Sequence, residues 1–128
     1  MFFFPTRLAV RSFKLWETHP QNIRSSENLA FFNAKTEQLY LGFKYFRCQG
    51  EANPDTFSDG ALRRLQPPTL LMIGQQEVIY DPVDSIDRAR RLIPHLEAHL
   101  IPEASHDMAY FQATIVDRHI LKFLRAGQ

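Results

Sequence analysis

Pro68-Thr-Leu-Leu-Met-Ile-Gly74 is an apolar run closed by glycine, and an acidic residue, Glu77, follows it three places on. Such a run fits a buried parallel strand, and the loop after a strand of this kind is where doubly wound α/β proteins place their chemistry. Asp81-Pro82 comes next. Asp accepts the first free backbone N–H groups of a helix, and Pro is preorganised for the first helical position, so this pair predicts a helix start. The spacing carries the helix forward with Ile86, Ala89, Leu92 and Ile93 facing inward. A second strand is expected over Leu96 to Ile101, then a polar turn from Pro102 to Asp107 that holds Ser105-His106. A final helix places Ile115, Val116, Ile120, Phe123 and Leu124 on one face. The sum is a βαβα unit, for which a right-handed crossover and a parallel strand pair are expected.

Upstream the pattern changes. Leu8, Val10, Phe13, Leu15 and Trp16 lie among Arg7, Arg11, Lys14 and Glu17, a mixed amphipathic helix that His19-Pro20 ends. Ser26 is expected to cap a longer helix with Leu29, Phe32, Leu39, Tyr40, Phe43 and Phe46 on one face. That aromatic stripe suits ordinary core packing or a lid lined for apolar substrates. The turn-rich segment from Gly50 to Asp59 separates the two regions, giving a helical cap-like segment over 1–58 and an α/β segment over 59–128.

The chain has 128 residues, 45% of them apolar, which suits one compact domain. A net charge of +1, with basic residues scattered, offers no phosphate-binding stripe, so no nucleic-acid partner is expected. Met1-Phe-Phe-Phe4 stops at Pro5, too short for a membrane span or a signal-peptide core, and a soluble cytoplasmic protein is expected. One cysteine excludes an internal disulfide framework and fits a reducing compartment.

The candidate chemistry is concentrated in the second region. His106 is the strongest single candidate, in the turn after the second strand. Glu77 is the candidate acid, with Asp81 the alternative; as an N-cap, Asp81 would already be bonded to backbone N–H groups. Ser58 reads as the N-cap of a short helix from Gly60 to Leu65, and Cys48 as a small residue near a helix end. His119 falls on the apolar face of the last helix, where a partnered packing histidine is expected. His95, Glu97 and His99 alternate and so share one strand face, but their spacing matches no established zinc motif. A solvated or capped strand face is the expectation, with no metal and no cofactor.

The order acid then His, on successive strand ends, resembles the C-terminal part of α/β-hydrolase-fold enzymes, over roughly Leu62 to Leu124. Members of that family commonly carry an acidic residue three places after the strand's terminal Gly, where this chain has Glu77 after Gly74. Their His follows a small residue in a Gly-rich turn, and Ala104-Ser105-His106 stands there. The chain departs in having Glu where Asp is commoner, and Glu103 and Ser105 where Gly is frequent. It departs further in lacking the Gly-x-Ser-x-Gly elbow of the nucleophile: none of Ser12, Ser25, Ser26, Ser58, Ser85 and Ser105 has Gly two places away on both sides. The fold class implied is α/β, a helical cap-like segment followed by a βαβα unit, together a partial α/β-hydrolase fold. The resemblance implies acyl transfer on ester-like small molecules, with His106 as general base and acid and Glu77 as its orienting carboxylate. The serine must then come from elsewhere, so the chain alone is expected to be inactive. Two strands need further neighbours, so self-association or a partner chain at the sheet edge is also expected. The alternative is a non-catalytic α/β interaction domain that binds through its aromatic helical face or open sheet edge.

Overall fold

The computed structural model describes residues 6–46 and 56–126. The chain divides into two compact units, Met1–Asp55 and Thr56–Gln128. Met1 to Phe4, Cys48 and the first part of the Gly50 to Asp59 turn lie outside the described residues.

The first unit is a helical hairpin of α1 (Arg7–Glu17) and α2 (Ser26–Tyr45), joined through a 3-10 turn over Pro20–Ile23. Thr6 opens α1 by accepting the Ala9 N–H at 3.1 Å, and the Thr18 N–H closes it on the Lys14 carbonyl. The expected cap of α2 shifts by one residue: Ser25, in extended backbone, accepts the Asn28 N–H at 3.1 Å, and Ser26 is already helical. A cap must stand outside the helix to aim its oxygen at the third N–H, and of the two serines only Ser25 does. Polar contacts set the antiparallel register, with Arg7 forking onto Glu37 at 3.0 and 2.6 Å and Arg11 reaching Asn33 at 2.7 Å. Between them Phe32 is 1% exposed. Val10, Lys14 and Glu17 form the buried face of α1, and Lys14 pairs with Glu17. The far end of the α2 stripe is open, with Phe43 at 49% and Phe46 at 78% exposure. Its cause is length: α1 has 11 residues against 20 in α2, and its first residue already stands at Glu37.

The second unit is the expected βαβα arrangement. Its two strands, β1 (Thr69–Gly74) and β2 (Leu96–Ile101), run parallel and in register from Thr69↔Leu96 to Gly74↔Ile101. Before them comes the short α3 (Asp59–Arg63), capped by Ser58, which accepts the Ala61 N–H at 3.2 Å. Arg88 holds it in place, donating to Asp59 at 2.8 Å and to the Phe57 carbonyl at 2.7 Å. The crossover is α4 (Pro82–Leu92), whose Ile86, Ala89 and Leu92 are buried against the strands. The last helix is broken at Gln112 into a one-turn α5 (Met108–Phe111) and a longer α6 (Ala113–Ala126). Ile73, Ile101, Ala104 and Val116 complete the core. Val116 is the one buried residue of α6, while Ile120 and Leu124 on its expected inner face are 37% and 59% exposed. Among the described residues no helix is long and apolar enough to cross a membrane.

Candidate active site

The strand ends are stitched together by backbone. Gln75 donates its N–H to the Ile101 carbonyl at 2.9 Å, and Gln76 donates to the Ala104 carbonyl at 2.8 Å. This brings the loop after β1 against the turn after β2, and it leaves no room at the crossing point. A Cβ on Gly74 would stand 2.4 Å from the Ala104 carbonyl oxygen, so only glycine fits the end of β1. The turn itself bends through Glu103, whose φ of 54° is left-handed backbone at a position where glycine would be unstrained.

That stitching sets Glu77 beside His106. One carboxylate oxygen, Oε2, lies 2.8 Å from His106 Nδ1, and Oε1 accepts the N–H groups of Val78 and Ile79 at 2.8 and 2.9 Å. Burial of Glu77 opposes its charge most strongly, but the Ile79 N–H, the His106 bond and the Val78 N–H together hold its pKa below the ordinary value. An ionised carboxylate can only accept, so His106 Nδ1 is the donor, and the ring's basic site on a neutral imidazole is Nε2. The two partners differ in access: the Glu77 side chain is 3% exposed and that of His106 is 42% exposed. A sheltered acid that fixes the tautomer of an accessible imidazole is an arrangement suited to moving a proton at Nε2.

Asp81 is engaged otherwise. Its Oδ1 accepts the N–H groups of Val83 and Asp84, both at 2.9 Å, which makes it the N-cap of α4. Of the two acids weighed in the sequence, Glu77 meets His106. Ser58 caps α3, Ser85 donates to the Asp81 carbonyl at 2.7 Å, and Ser105 is 1% exposed.

The strand face of His95, Glu97 and His99 is assembled differently from its sequence pattern. His95 is exposed ahead of β2, whereas Glu97 Oε1 contacts His99 Nε2 at 2.7 Å. His119 of α6 joins them, its ring centroid 4.1 Å from that of His99. The sequence puts His119 on an apolar helix face, with no pointer to β2. The available signal was its phase with Val116, three residues earlier and buried in the core.

No protein-family model matches the chain. It is 38% identical over 117 residues to the uncharacterized carboxylesterase nap of Bacillus subtilis (strain 168), an alignment covering 91% of this chain and 39% of that protein. It is 34% identical over 74 residues to carboxylesterase YbfK of the same organism, covering 58% of this chain and 25% of that one. Among solved structures, carboxylesterase CesB (YbfK) from Bacillus subtilis matches 98% of this chain and 44% of its own, with a TM-score of 0.76 at 25% identity. Naproxen esterase from Bacillus subtilis matches 94% of this chain and 42% of its own, with a TM-score of 0.69 at 27% identity. The chain therefore spans about two fifths of the length of nap, and a similar share of each of the two solved structures.

Proposed function

We propose that this chain, a homologue of carboxylesterases and a partial α/β-hydrolase fold, supplies the acid and histidine of a carboxylic-ester hydrolase. The observation that carries this reading is the Glu77–His106 contact of 2.8 Å between the ends of successive parallel strands. In this role His106 Nε2 takes the proton of an attacking serine and later delivers it to the leaving alcohol. Glu77 keeps Nδ1 protonated, holds the ring in its plane and stabilises the imidazolium as it forms. The serine and the oxyanion-binding N–H groups belong to a segment bearing a Gly-x-Ser-x-Gly elbow, a motif this sequence does not contain. The chain by itself then lacks the covalent step and has no esterase turnover.

The test is a chimaera in which this chain replaces the matching residues of carboxylesterase YbfK. It should hydrolyse p-nitrophenyl butyrate and label with a fluorophosphonate, while the isolated chain does neither. His106→Ala in the chimaera should lower kcat on the order of 10⁴-fold. Glu77→Ala should lower it by less, and Asp81→Ala should leave it within a few-fold. An active chimaera that tolerates His106→Ala, or that loses activity with Asp81→Ala but keeps it with Glu77→Ala, would overturn the assignment.

A further inference from the structure

We propose that Glu97 and His99 on β2, with His119 on α6, form a binding site for a transition-metal dication, Zn²⁺ foremost. The site uses none of the residues assigned to ester hydrolysis. Each residue offers one ligand atom, and these atoms all lie within 4.8 Å of one another. Tetrahedral zinc with bonds of about 2.0–2.2 Å needs its ligand atoms roughly 3.4 Å apart, so shifts of about 1 Å form the cage, the wider separations closing while the 2.7 Å contact between Glu97 and His99 opens. The backbone already provides the convergence. Glu97 and His99 are two apart on a strand and point to the same face, and His119 comes to that face from a different element.

A second observation points to a ligand. His119 Nδ1 is buried and has no hydrogen-bond partner among the described residues. A buried ring nitrogen left unsatisfied is costly, and a metal ion is one of the few species that satisfies it without a further side chain. Lys122 and Arg118 also face this cluster, and their charges work against a bound cation. Access remains open, since the Glu97 and His99 side chains are 33% and 29% exposed. Two imidazoles and one carboxylate select a borderline ion such as Zn²⁺ over Ca²⁺ or Mg²⁺, and three protein ligands leave a fourth position for water. A bound ion would clip the last helix onto the second strand.

The experiment is a Zn²⁺ titration of the tag-free full chain in competition with a chromogenic chelator, supported by Co²⁺ absorption and by melting with and without Zn²⁺. One Zn²⁺ per chain is expected, with intense tetrahedral Co²⁺ bands and a melting temperature that rises with Zn²⁺ but not with Ca²⁺ or Mg²⁺. His99→Gln and His119→Gln should each weaken binding about 100-fold or more and remove the Zn²⁺-dependent rise, with the circular dichroism spectrum unchanged. Glu97→Gln should weaken it about 10-fold. Cys48→Ser should bind as wild type. Absence of saturable binding at micromolar Zn²⁺, retention of affinity in both histidine variants, or loss in Cys48→Ser would each overturn the site.

Discussion

Two histidine–carboxylate pairs lie within one small unit, and their contact distances hardly differ: 2.8 Å for His106–Glu77 and 2.7 Å for His99–Glu97. What surrounds them differs greatly. Glu97 and His99 are two residues apart on one strand, so the pleat alone brings them together, and both carboxylate and ring remain partly in solvent. Glu77 and His106 are 29 residues apart and meet only because two strands, a crossover helix and a glycine put them there. Glu77 also has two backbone N–H groups committed to it and is sheltered from water. A short contact therefore says little by itself; the amount of structure devoted to holding it says more. In one pair the fold fixes a tautomer, and in the other it leaves the carboxylate and the imidazole within reach of solvent.

The largest expected difference between the pairs, beyond the loss of turnover with His106→Ala, is in what a single methyl group does beneath each. Gly74→Ala pushes a Cβ into the Ala104 carbonyl, and it should cost about 3 kcal/mol of stability in urea unfolding and separate Glu77 from His106. The contact between Glu97 and His99 should survive it. A Gly74→Ala variant as stable as wild type would mean that the two loops are not held as tightly as their hydrogen bonds imply.

Next comes the acid itself. Glu77→Gln removes a carboxylate that accepts three hydrogen bonds and should cost about 2 kcal/mol near pH 7, whereas Glu97→Gln should leave the urea midpoint almost unmoved without metal. The pH dependence follows in sign. The folded pKa of Glu77 lies below its ordinary value of 4.5, so its contribution is fully present above that value. It is lost as pH falls through the folded value. The stability difference between wild type and Glu77→Gln should therefore narrow on acidification below about pH 4.5. A difference that widens there would show that Glu77 is stabilised in its protonated form instead.

The smallest effect sharpens the geometry of the turn. Glu103→Gly relieves a left-handed residue at the entry to the His106 turn and should raise stability by about 0.5 kcal/mol, because the relief of roughly 1 kcal/mol is partly offset by the greater freedom of glycine when unfolded. A clear loss of stability would mean that the Glu103 side chain contributes more than its backbone costs.

Much of this was legible in the sequence, and the boundary follows the range of the forces involved. The cap residues Ser58 and Asp81 and the two strands rest on local hydrogen-bonding rules and on apolar runs, so they could be read from neighbours in the chain. The approach of Glu77 to His106 could not; it was expected only because a known fold places an acid and a histidine at those strand ends. The packing of His119 on His99 was hidden for the same reason, since helix phase says which residues turn inward but not which strand residue they meet. The open end of α2 was equally hidden, because its cover depends on the length and register of α1 and not on its own pattern. The one-residue slip from Ser26 to Ser25 shows the limit even of local rules when two caps stand side by side.

The stitch between the loops has a consequence for how such a site can drift over generations. Gln75 and Gln76 hold the two strand ends with their amide N–H groups, and the Gln75 side chain points into solvent. The geometry around His106 is thus nearly blind to which letter is written at position 75, with one exception: proline has no N–H to give. Substitutions at position 75 other than proline should therefore leave the contact between acid and histidine in place.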